Sequence, residues 1–371
     1  MSPVPFVDLA RQFEELSPEL ERALLRVARS GHYVLGPEVA ALERELAVDH
    51  GCAGAVGLNS GTDALLLALR ALGIGPGHEV ITTPFSFFAT SEAIVLAGAR
   101  PVFADVEPES LNLDPSAVEA VLSERTRAIL PVHLYGRPCD MDGILAIARR
   151  RDLAVVEDCA QAVGARYRGQ PVGSFGALGC LSFFPTKNLG ALGDGGMVLG
   201  NDTRLLERVR ALAAHGSRER YLHQEIGANS RLDEIQAAAL RVKRARLAGW
   251  TEARRRNAGR YRELLANLPG LALPPPDDER FGSTWHQFTV RAKDRDGLRA
   301  HLERRGIASM IYYPVPLHLQ PAHRDLGYAP GAFPVAERAA AEVLSLPIHP
   351  HLSEEDLRAV AEAVRTWAQS N

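Results

Sequence analysis

Lysine is nearly absent from this 371-residue sequence, because only three of its 42 basic residues are lysine. Two of them, Lys243 and Lys293, lie among arginines. At these two positions we expect a cation that faces solvent, for which lysine and arginine are interchangeable. The third, Lys187, follows the strand-like run "CLSFFP" and precedes a glycine-rich loop. A lysine amine can lose its proton and attack a carbonyl, whereas a guanidinium stays charged. Lys187 is therefore a candidate nucleophile, and the alternative is a loop lysine without a role.

Cysteine is also scarce, and its four residues are scattered without a CxxC pair. They are Cys52, Cys139, Cys159 and Cys180. This pattern predicts reduced thiols in a cytoplasmic protein, and it argues against a disulfide framework or a zinc site. We therefore expect no bound metal.

Long hydrophobic runs are missing as well, and the apolar stretches present are far too short to span a bilayer. The N-terminal run "MSPVPFVDLARQFEEL" has acidic residues and no long apolar core, so it predicts no signal peptide. A net charge of −3 gives no reason to expect nucleic acid as a partner. One locally basic segment, 241–262, has apolar residues at helical spacing, which indicates a solvated helix face.

Short apolar runs alternate with helical patterns between about residues 51 and 200. Runs such as "AVGL", "EVIT" and "LAVVEDC" predict strands, and "GTDALLLALRAL" and "DGILAIARRR" predict the helices between them. This alternation predicts an α/β fold with a mostly parallel sheet. Ligands bind outside the carboxyl ends of such strands, which are here residues 59–62, Asp105, 133–136 and 158–161.

The pattern changes after residue 202, where long helical stretches begin. A proline-rich connector, "LALPPPDDERFGS", follows, and the remainder mixes strands with helices. The length suits one large domain and a smaller one. We expect a large domain over residues 1–245 and a smaller α+β domain over residues 246–371.

A small polar turn joins a predicted strand to a predicted helix in "LNSGTDALLLAL". Free N–H groups at the start of a helix and the helix dipole favour an anion, especially phosphate. Ser60 and Thr62 can add hydroxyl donors, and Gly61 permits a close approach of the backbone. The alternative is plain capping of the helix by Ser60 or Thr62.

A second constellation ends the buried strand in "LAVVEDCAQAVGA". A carboxylate such as Asp158 at this position is unfavourable unless a cation or a strong donor meets it. A protonated pyridine nitrogen would be such a partner, and Gln161 could bond a neighbouring ring substituent. The alternative is that Asp158 caps the following turn.

Aromatic side chains complete the set, because Phe87 and Phe88 in "TPFSFFAT" follow a strand and could cover a flat cofactor. Their alternative is core packing, the more common fate of phenylalanine. Ser182 and Lys187 flank "FFPT" on the other side of the expected site. A phosphate cup, an aspartate, an aromatic cover and a nucleophilic lysine together are what pyridoxal 5′-phosphate (PLP) requires.

At these residues the sequence resembles the DegT/DnrJ/EryC1/StrS family of sugar aminotransferases, within the fold type I (aspartate-aminotransferase-like) PLP enzymes. The resemblance covers nearly the whole chain. Its motifs include "LGPEVAALERELA", "VHLYGRPCDMD", "EDCAQAVGARYRG", "SFFPTKNLG", "NSRLDEIQAA" and "YYPVPLHLQPA". It implies that Lys187 holds PLP as a Schiff base and carries the proton between substrate and cofactor. Asp158 would pair with the pyridinium nitrogen, Gln161 would lie near the ring hydroxyl, and Phe88 would stack on the ring.

The resemblance also implies a shared active site. Gly61, Thr62 and Ser182 would bind the phosphate, and Asn229 would reach it from the neighbouring subunit. A homodimer follows from that arrangement.

The reaction implied is transfer of an amino group from L-glutamate to a keto group of a dTDP- or UDP-linked sugar. Relatives that act as sugar dehydratases have histidine at the lysine position, so Lys187 argues against that chemistry. His133 and Tyr135 are similar to residues of relatives that aminate C-3 of the sugar, which favours C-3. His133 could instead be a hydrogen-bonded residue at the end of a strand.

Further substrate contacts are expected at Tyr313 and His318 in "YYPVPLHLQPA", and at Arg220 and Tyr221. Relatives often have lysine before that tyrosine, so Arg220 keeps the charge and changes the geometry. Amination at C-4 or of a keto-cyclitol stays an alternative. A more remote one is a non-catalytic regulator that senses PLP or an amino-sugar.

Overall fold

The computed structural model describes residues 3–219 and 221–370, and a seven-stranded sheet organises the first 200 of them. In chain order the strands are β1 (Gly54–Leu58), β2 (Glu79–Thr82), β3 (Arg100–Phe103), β4 (Thr126–Leu130), β5 (Ala154–Asp158), β6 (Arg166–Tyr167), β7 (Gln170–Pro171), β8 (Leu178–Ser182), β9 (Gly196–Gly200), β10 (Ser217–Glu219), β11 (Leu222–His223), β12 (Leu271–Ala272), β13 (Phe281–Gly282), β14 (Phe288–Ala292) and β15 (Val343–Leu346). The α-helices are α1 (Leu9–Ser30), α2 (Pro37–His50), α3 (Gly61–Ala71), α4 (Ala89–Leu96), α5 (Pro115–Ala120), α6 (Met141–Arg151), α7 (Thr203–Ala213), α8 (Glu234–Leu264), α9 (Arg295–Glu303), α10 (Pro334–Glu342) and α11 (Glu354–Ser370).

The large sheet has the strand order β1-β9-β8-β5-β4-β2-β3. Strands β8, β5, β4, β2 and β3 pair in parallel along that series. Only β9 runs in the opposite direction in this sheet, since it pairs antiparallel with both β1 and β8. The predicted mostly parallel α/β sheet is confirmed, and the reversed strand β9 was not anticipated.

Helices cover both faces of this sheet, because successive strand residues point to opposite sides. In β1, Val56 packs with α3 and α7, whereas Ala55 packs with α2 and α8. Helix α3 buries Leu65, Leu67 and Leu69, so nearly its whole surface is enclosed. The strand ends are thereby held rigidly, which fixes the positions of the polar residues that follow them.

A second, three-stranded sheet lies nearer the C-terminus, with the order β12-β14-β15 and antiparallel pairing. It packs with α9 and α11 around buried side chains such as Phe288 and Trp367. Helix α8 runs through residue 245, and its later part adds Tyr261 to this smaller core. The exact division of the chain at residue 245 stays a prediction. None of the described helices is both long and apolar enough to cross a membrane.

Candidate active site

The carboxyl ends of β5 and β8 and the turn after β1 open into a cleft of about 560 Å³. Parallel sheets place ligands at this edge, so the location follows from the topology. The residues predicted from the sequence that line it are Ser60, Gly61, Thr62, Asp158, Gln161, Ser182, Lys187 and Tyr313. The structure therefore brings together three motifs that are far apart in the chain.

Lys187 lies in the loop that follows β8, and the backbone of this loop is closely packed. The Lys187 N–H donates to the carbonyl of Phe184 at 2.8 Å. A Cβ at Gly190 would lie 2.2 Å from the Pro185 carbonyl oxygen, so only glycine fits there. Burial lowers the pKa of the Lys187 amine to about 8, and the nearby Asp158 carboxylate opposes this shift. A larger share of the amine is therefore neutral and nucleophilic near neutral pH than for an exposed lysine.

Asp158 ends β5 and is buried, with 4% of its surface exposed. Its Oδ2 accepts a hydrogen bond from the Thr90 hydroxyl at 2.9 Å, and its Oδ1 accepts one from the Ala160 N–H at 3.1 Å. The carboxylate thus caps the following turn, as the alternative interpretation held, and it also lines the cleft. Burial raises its pKa, and the hydrogen bonds and Lys187 partly offset that rise. A cationic ring nitrogen would stabilise its charged form further.

The turn before α3 forms the opposite end of the cleft. Ser60 caps α3, since its Oγ accepts from the Asp63 N–H at 3.1 Å, which confirms the capping alternative for this residue. Gly61 lies against Ser182, and a Cβ there would stand 2.7 Å from the Ser182 Cβ. This close approach presents the first N–H groups of an 11-residue helix to the cleft.

The phenylalanine that lines the cleft is not the one expected to stack on the ring. Phe87 lines the cleft and has 58% of its surface exposed. Phe88 instead packs against His323, with ring centroids 5.1 Å apart, within an apolar cluster that contains Phe103. The prediction that Phe88 stacks on the ring is therefore wrong. Phe87 and Phe88 are consecutive residues at the start of α4, and their side chains point in different directions.

His133 does not reach the cleft, and its side chain is fully buried. Its Nδ1 accepts from the Cys139 N–H at 3.0 Å, so the ring proton is on Nε2, which lies 3.1 Å from Glu157. Glu157 also accepts three backbone N–H groups, and with Cys159 the three side chains place possible metal ligands within 4.8 Å. The histidine and glutamate atoms are already committed to hydrogen bonds. His133 is thus the hydrogen-bonded strand-end residue of the alternative interpretation.

Other predicted substrate residues are distributed unevenly. Tyr313 lines the cleft and receives a hydrogen bond from Gln161 Nε2 at 3.0 Å. Tyr135 is buried behind it, where its N–H donates to Gln161 Oε1 at 2.6 Å, so it positions Gln161 from outside the cleft. His318 is buried away from the cleft against Phe333 and lies 3.1 Å from Glu337. Neither Tyr135 nor His318 lines the cleft, and their expected contacts with substrate stay predictions.

Three predicted residues belong to the segment between α7 and α8. Arg220 lies outside the described residues. Tyr221 is 82% exposed, and Asn229 is also exposed and does not line the cleft of its own chain. Their expected contacts with substrate or with a neighbouring subunit stay predictions.

The sequence reasoning missed His286, which lines the cleft next to Lys187. Its Nδ1 lies 2.8 Å from the Asn188 Oδ1, and the Asn188 amide nitrogen donates to the Thr284 carbonyl. Nδ1 must therefore carry the proton, and Nε2 is left as an acceptor. Burial and the nearby cation of Lys187 lower the pKa of His286 well below its ordinary value, so the ring is neutral. No motif flagged this residue, since it precedes a strand of the other sheet.

The position of Lys243 also differs from the prediction, because this residue is buried, with 3% of its surface exposed. Its Nζ donates to the Gly190 carbonyl at 2.7 Å and thereby holds the loop that carries Lys187. The expectation of a solvent-facing cation was wrong. Helical spacing could have predicted the burial of Lys243, since Leu240, Lys243 and Leu247 recur on one side of α8.

These residues fit a pyridine ring that carries a phosphate. Within the described part of the chain, the Lys187 amine makes no hydrogen bond, and Asp158 has no cation in direct contact. The cleft thus offers an amine that can form a Schiff base, a carboxylate for a ring nitrogen and a helix N-terminus for an anion. This donor set defines a PLP-type lysine–aspartate site on an α/β fold.

Comparison with known proteins identifies the family. Residues 14–365 match the DegT/DnrJ/EryC1/StrS aminotransferase family, and the chain belongs to it. A Geobacillus stearothermophilus relative, named pleiotropic regulatory protein, is 50% identical, with 97% of each chain covered. The dTDP-3-amino-3,4,6-trideoxy-alpha-D-glucose transaminase of Streptomyces venezuelae is 49% identical, covering 99% of this chain and 96% of that one. An Acidithiobacillus ferrooxidans UDP-N-acetyl-3-dehydro-alpha-D-glucosamine 3-aminotransferase is 48% identical over 98% and 97%.

Solved structures agree with this assignment. An X-ray structure of S. venezuelae DesV in complex with a ketimine intermediate superposes with a TM-score of 0.97. The two chains are 48% identical, and the match covers 100% of this chain and 99% of that one. NtdA from Bacillus subtilis with bound cofactor PMP has a TM-score of 0.93 at 31% identity, covering 100% and 86%. The fold type I assignment made from the sequence is confirmed.

Proposed function

We propose that this chain is a PLP-dependent aminotransferase that moves an amino group from L-glutamate to the C-3 keto group of a dTDP- or UDP-linked keto-deoxysugar. The observation that carries the proposal is the Lys187 amine, whose pKa is about 8, in one cleft with the buried Asp158 carboxylate. An amine in that state can attack a carbonyl near neutral pH.

Each end of the cleft has a distinct role in this proposal. Lys187 would bind the cofactor aldehyde and afterwards carry a proton between a carbon of the substrate and a carbon of the cofactor, since its amine is free in the cleft. Asp158 would hold a proton on the ring nitrogen, with Thr90 fixing the carboxylate by its 2.9 Å hydrogen bond. PLP, when bound, supplies a ring that withdraws electrons from the reacting carbon.

The remaining cleft residues would hold and cover the cofactor. The N–H groups at the start of α3, with Thr62 and Ser182, would bind its phosphate. Phe87 would cover the ring, and Gln161 would bond the ring hydroxyl. Gln161 is held for that contact from two sides, by Tyr135 and by Tyr313.

The acceptor is inferred from the names of the relatives. The Streptomyces enzyme is named for a dTDP-linked 3-amino sugar and the Acidithiobacillus enzyme for a UDP-linked one, and both names specify position 3. These names support amination of a nucleotide-linked sugar at C-3 over C-4 or a cyclitol. L-Glutamate is proposed as the donor because the family resemblance of the sequence implies it.

We also propose that the chain acts as a homodimer in the cytoplasm, with both sites completed by the partner. Large apolar side chains are exposed around the cleft, including Phe87 and Phe184, at 58% and 50%. Leu192 and Ile226 are exposed as well, at 44% and 84%. Such a surface suits an interface, and the exposed Asn229 could then reach the partner's cofactor phosphate. The four free cysteines suit a reducing compartment.

Two relatives bear regulatory or sensory names, so a sensing role is the second candidate. The test is a panel assay. Purified protein loaded with pyridoxamine phosphate is mixed with 3-keto and 4-keto sugars linked to dTDP or UDP, and with a keto-cyclitol, and amino products are identified by mass spectrometry. We expect turnover with a 3-keto nucleotide sugar. Binding of the sugars without any amino product would favour the sensor, and turnover of only a 4-keto sugar or a cyclitol would overturn the C-3 assignment.

A further inference from the structure

A second chamber of about 310 Å³ adjoins the cleft. The two cavities share Thr186, His286, Gln287 and Tyr312, so they lie side by side. Neither Lys187 nor Asp158 lines this chamber. Its volume is at the small end for ligand pockets.

Arg254, from α8, is the only charged residue among the described residues that line this chamber. It is buried, with 7% of its surface exposed, and burial lowers the pKa of its guanidinium to about 10. The group therefore stays charged at neutral pH. Its hydrogen bonds within the described chain all come from Nη1, to the carbonyls of Trp285, His286 and Ile348, at 3.3–3.4 Å.

The buried Arg254 guanidinium lacks a carboxylate partner among the described residues, in contrast to the partly exposed Arg241. Arg241, on the same helix, forms ion pairs with Glu38 and Glu45 at 2.6 and 2.7 Å. No ion pair is found for Arg254 in the part of the chain that is described, and no acidic group contributes to its pKa. Burying a cation is unfavourable unless an anion or several strong acceptors meet it. The long carbonyl contacts leave most of the guanidinium fork available.

Gln287 adds a polar side chain whose amide oxygen has no hydrogen-bond partner among the described residues. Its side chain is 5% exposed and lines both cavities, and its Oε1 is buried without a hydrogen bond among the described residues. The amide oxygen and nitrogen are interchangeable by a half turn, so the NH2 group can donate into the chamber. The remaining wall is largely apolar, with Phe6, Val7 and Met310.

We propose that Arg254 and Gln287 form a subsite for the side-chain carboxylate of a dicarboxylic amino donor. This inference rests on the proposed transamination. The amine and the α-carboxylate of a donor are both attached to the reacting carbon, so they remain in the cleft beside Lys187. A carboxylate several bonds further away can reach the adjoining chamber, where methylene groups meet apolar walls and the guanidinium can bind it through two hydrogen bonds.

The test uses glutarate, a five-carbon dicarboxylate without an amine, and the holoenzyme. Binding is measured by calorimetry for wild type, Arg254→Met and Arg256→Met. Arg256 is a matched control on the same helix, with 67% of its side chain exposed. Loss of a charge-assisted contact should weaken glutarate binding about 10- to 100-fold in Arg254→Met, with no change in Arg256→Met. Equal affinities in all three proteins, or inorganic phosphate competing as well as glutarate, would overturn the subsite.

Kinetics separate a binding role from a structural one. The rate of the first half-reaction is followed with L-glutamate and with L-alanine, which has no side-chain carboxylate. Arg254→Met should lower kcat/KM for L-glutamate and leave that for L-alanine within about twofold, whereas an equal fall for both contradicts the proposal. If Arg254→Met does not fold, Arg254→Lys replaces it, and it should bind glutarate with intermediate affinity.

The two proposals fail differently. Glutarate binding that depends on Arg254, in a holoenzyme that neither L-glutamate nor L-alanine converts, contradicts the transaminase assignment and leaves the subsite standing. Conversion by L-glutamate that is insensitive to Arg254 contradicts the subsite alone.

Discussion

The Asp158 carboxylate lies close enough to the Lys187 amine to stabilise its charged form, while burial acts in the opposite direction. Burial has the larger effect, so the pKa of Lys187 falls to about 8. The same enclosure raises the pKa of Asp158, and the lysine is one of the groups that oppose that rise. Removal of either side chain should therefore change the titration of the other.

Lys187→Ala should abolish covalent attachment of PLP. Borohydride reduction fixes a Schiff base as a stable amine, so the mass of the labelled peptide identifies the lysine that forms it. We expect wild type to be labelled at Lys187, and Lys187→Ala to remain unlabelled and to lose activity by about 100-fold or more. Lys293→Ala is the matched control, because Lys293 is exposed. Labelling of Lys243 or Lys293 in wild type would contradict the assignment.

Capture of PLP by the apoprotein should depend on pH with a midpoint near the lowered pKa of Lys187. Below about 8 the amine is mostly protonated, so the rate should fall about tenfold for each pH unit, and above that pH it should level off. Stopped-flow absorbance measures the rate. A profile that keeps rising to 10.5, the ordinary lysine value, would show that the amine is not desolvated.

Asp158→Asn should move that midpoint to lower pH. The carboxylate raises the pKa of Lys187, so its removal leaves burial unopposed, and the pKa falls further. Transamination should slow by about 100-fold or more, because the ring nitrogen loses its counter-charge. Thr90→Val keeps the carboxylate and removes one hydrogen bond, so it should have a smaller effect on both quantities. A midpoint that rises in Asp158→Asn would reverse the proposed relationship.

Phe87→Ala should weaken the retention of PLP, whereas Phe88→Ala should lower the stability of the fold. Phe87 lines the cleft, so its loss should weaken PLP retention about tenfold and leave the unfolding free energy nearly unchanged. Phe88 packs against His323 in an apolar cluster, so its loss should lower the unfolding free energy by about 2–3 kcal/mol. Dialysis with absorbance measures the first quantity, and urea unfolding measures the second. The opposite pattern would restore the stacking role to Phe88.

Gly61→Ala should damage both the fold and the phosphate end of the cleft. The new Cβ would stand 2.7 Å from the Ser182 Cβ, so α3 or β8 must shift, at about 1–3 kcal/mol. Gly249→Ala is the control within α8, where nothing lies within 4 Å of the new atom. It should stabilise the protein by about 0.5–1 kcal/mol. Thermal unfolding and PLP titration of both variants check this; equal behaviour would refute the close packing.

The sequence predicted the sheet well because short apolar runs alternate with helical patterns, which is typical of a parallel sheet covered by helices. It also predicted Lys187 and Asp158 at strand ends, where the topology makes side chains converge. The antiparallel direction of strand β9 was not predicted, since a short apolar run looks the same whether the strand is parallel or antiparallel.

The errors in the site have a common physical cause. Which of two neighbouring residues faces the cleft, as with Phe87 and Phe88, depends on the backbone direction at one turn. His133 and Lys243 were misjudged because their hydrogen-bond partners, Glu157 and Gly190, come from other segments. His286 and Arg254 were missed for a similar reason, because they approach the site from the segment before β14 and from α8.

The most direct test of the central claim is the visible absorption spectrum of the PLP-loaded protein before and after addition of L-glutamate. We expect a band of protein-bound PLP that is replaced by the shorter-wavelength absorption of the pyridoxamine form, and that Lys187→Ala lacks from the start. A wild-type band that L-glutamate leaves unchanged would contradict the proposed donor, and the absence of any band with excess PLP would contradict the site itself.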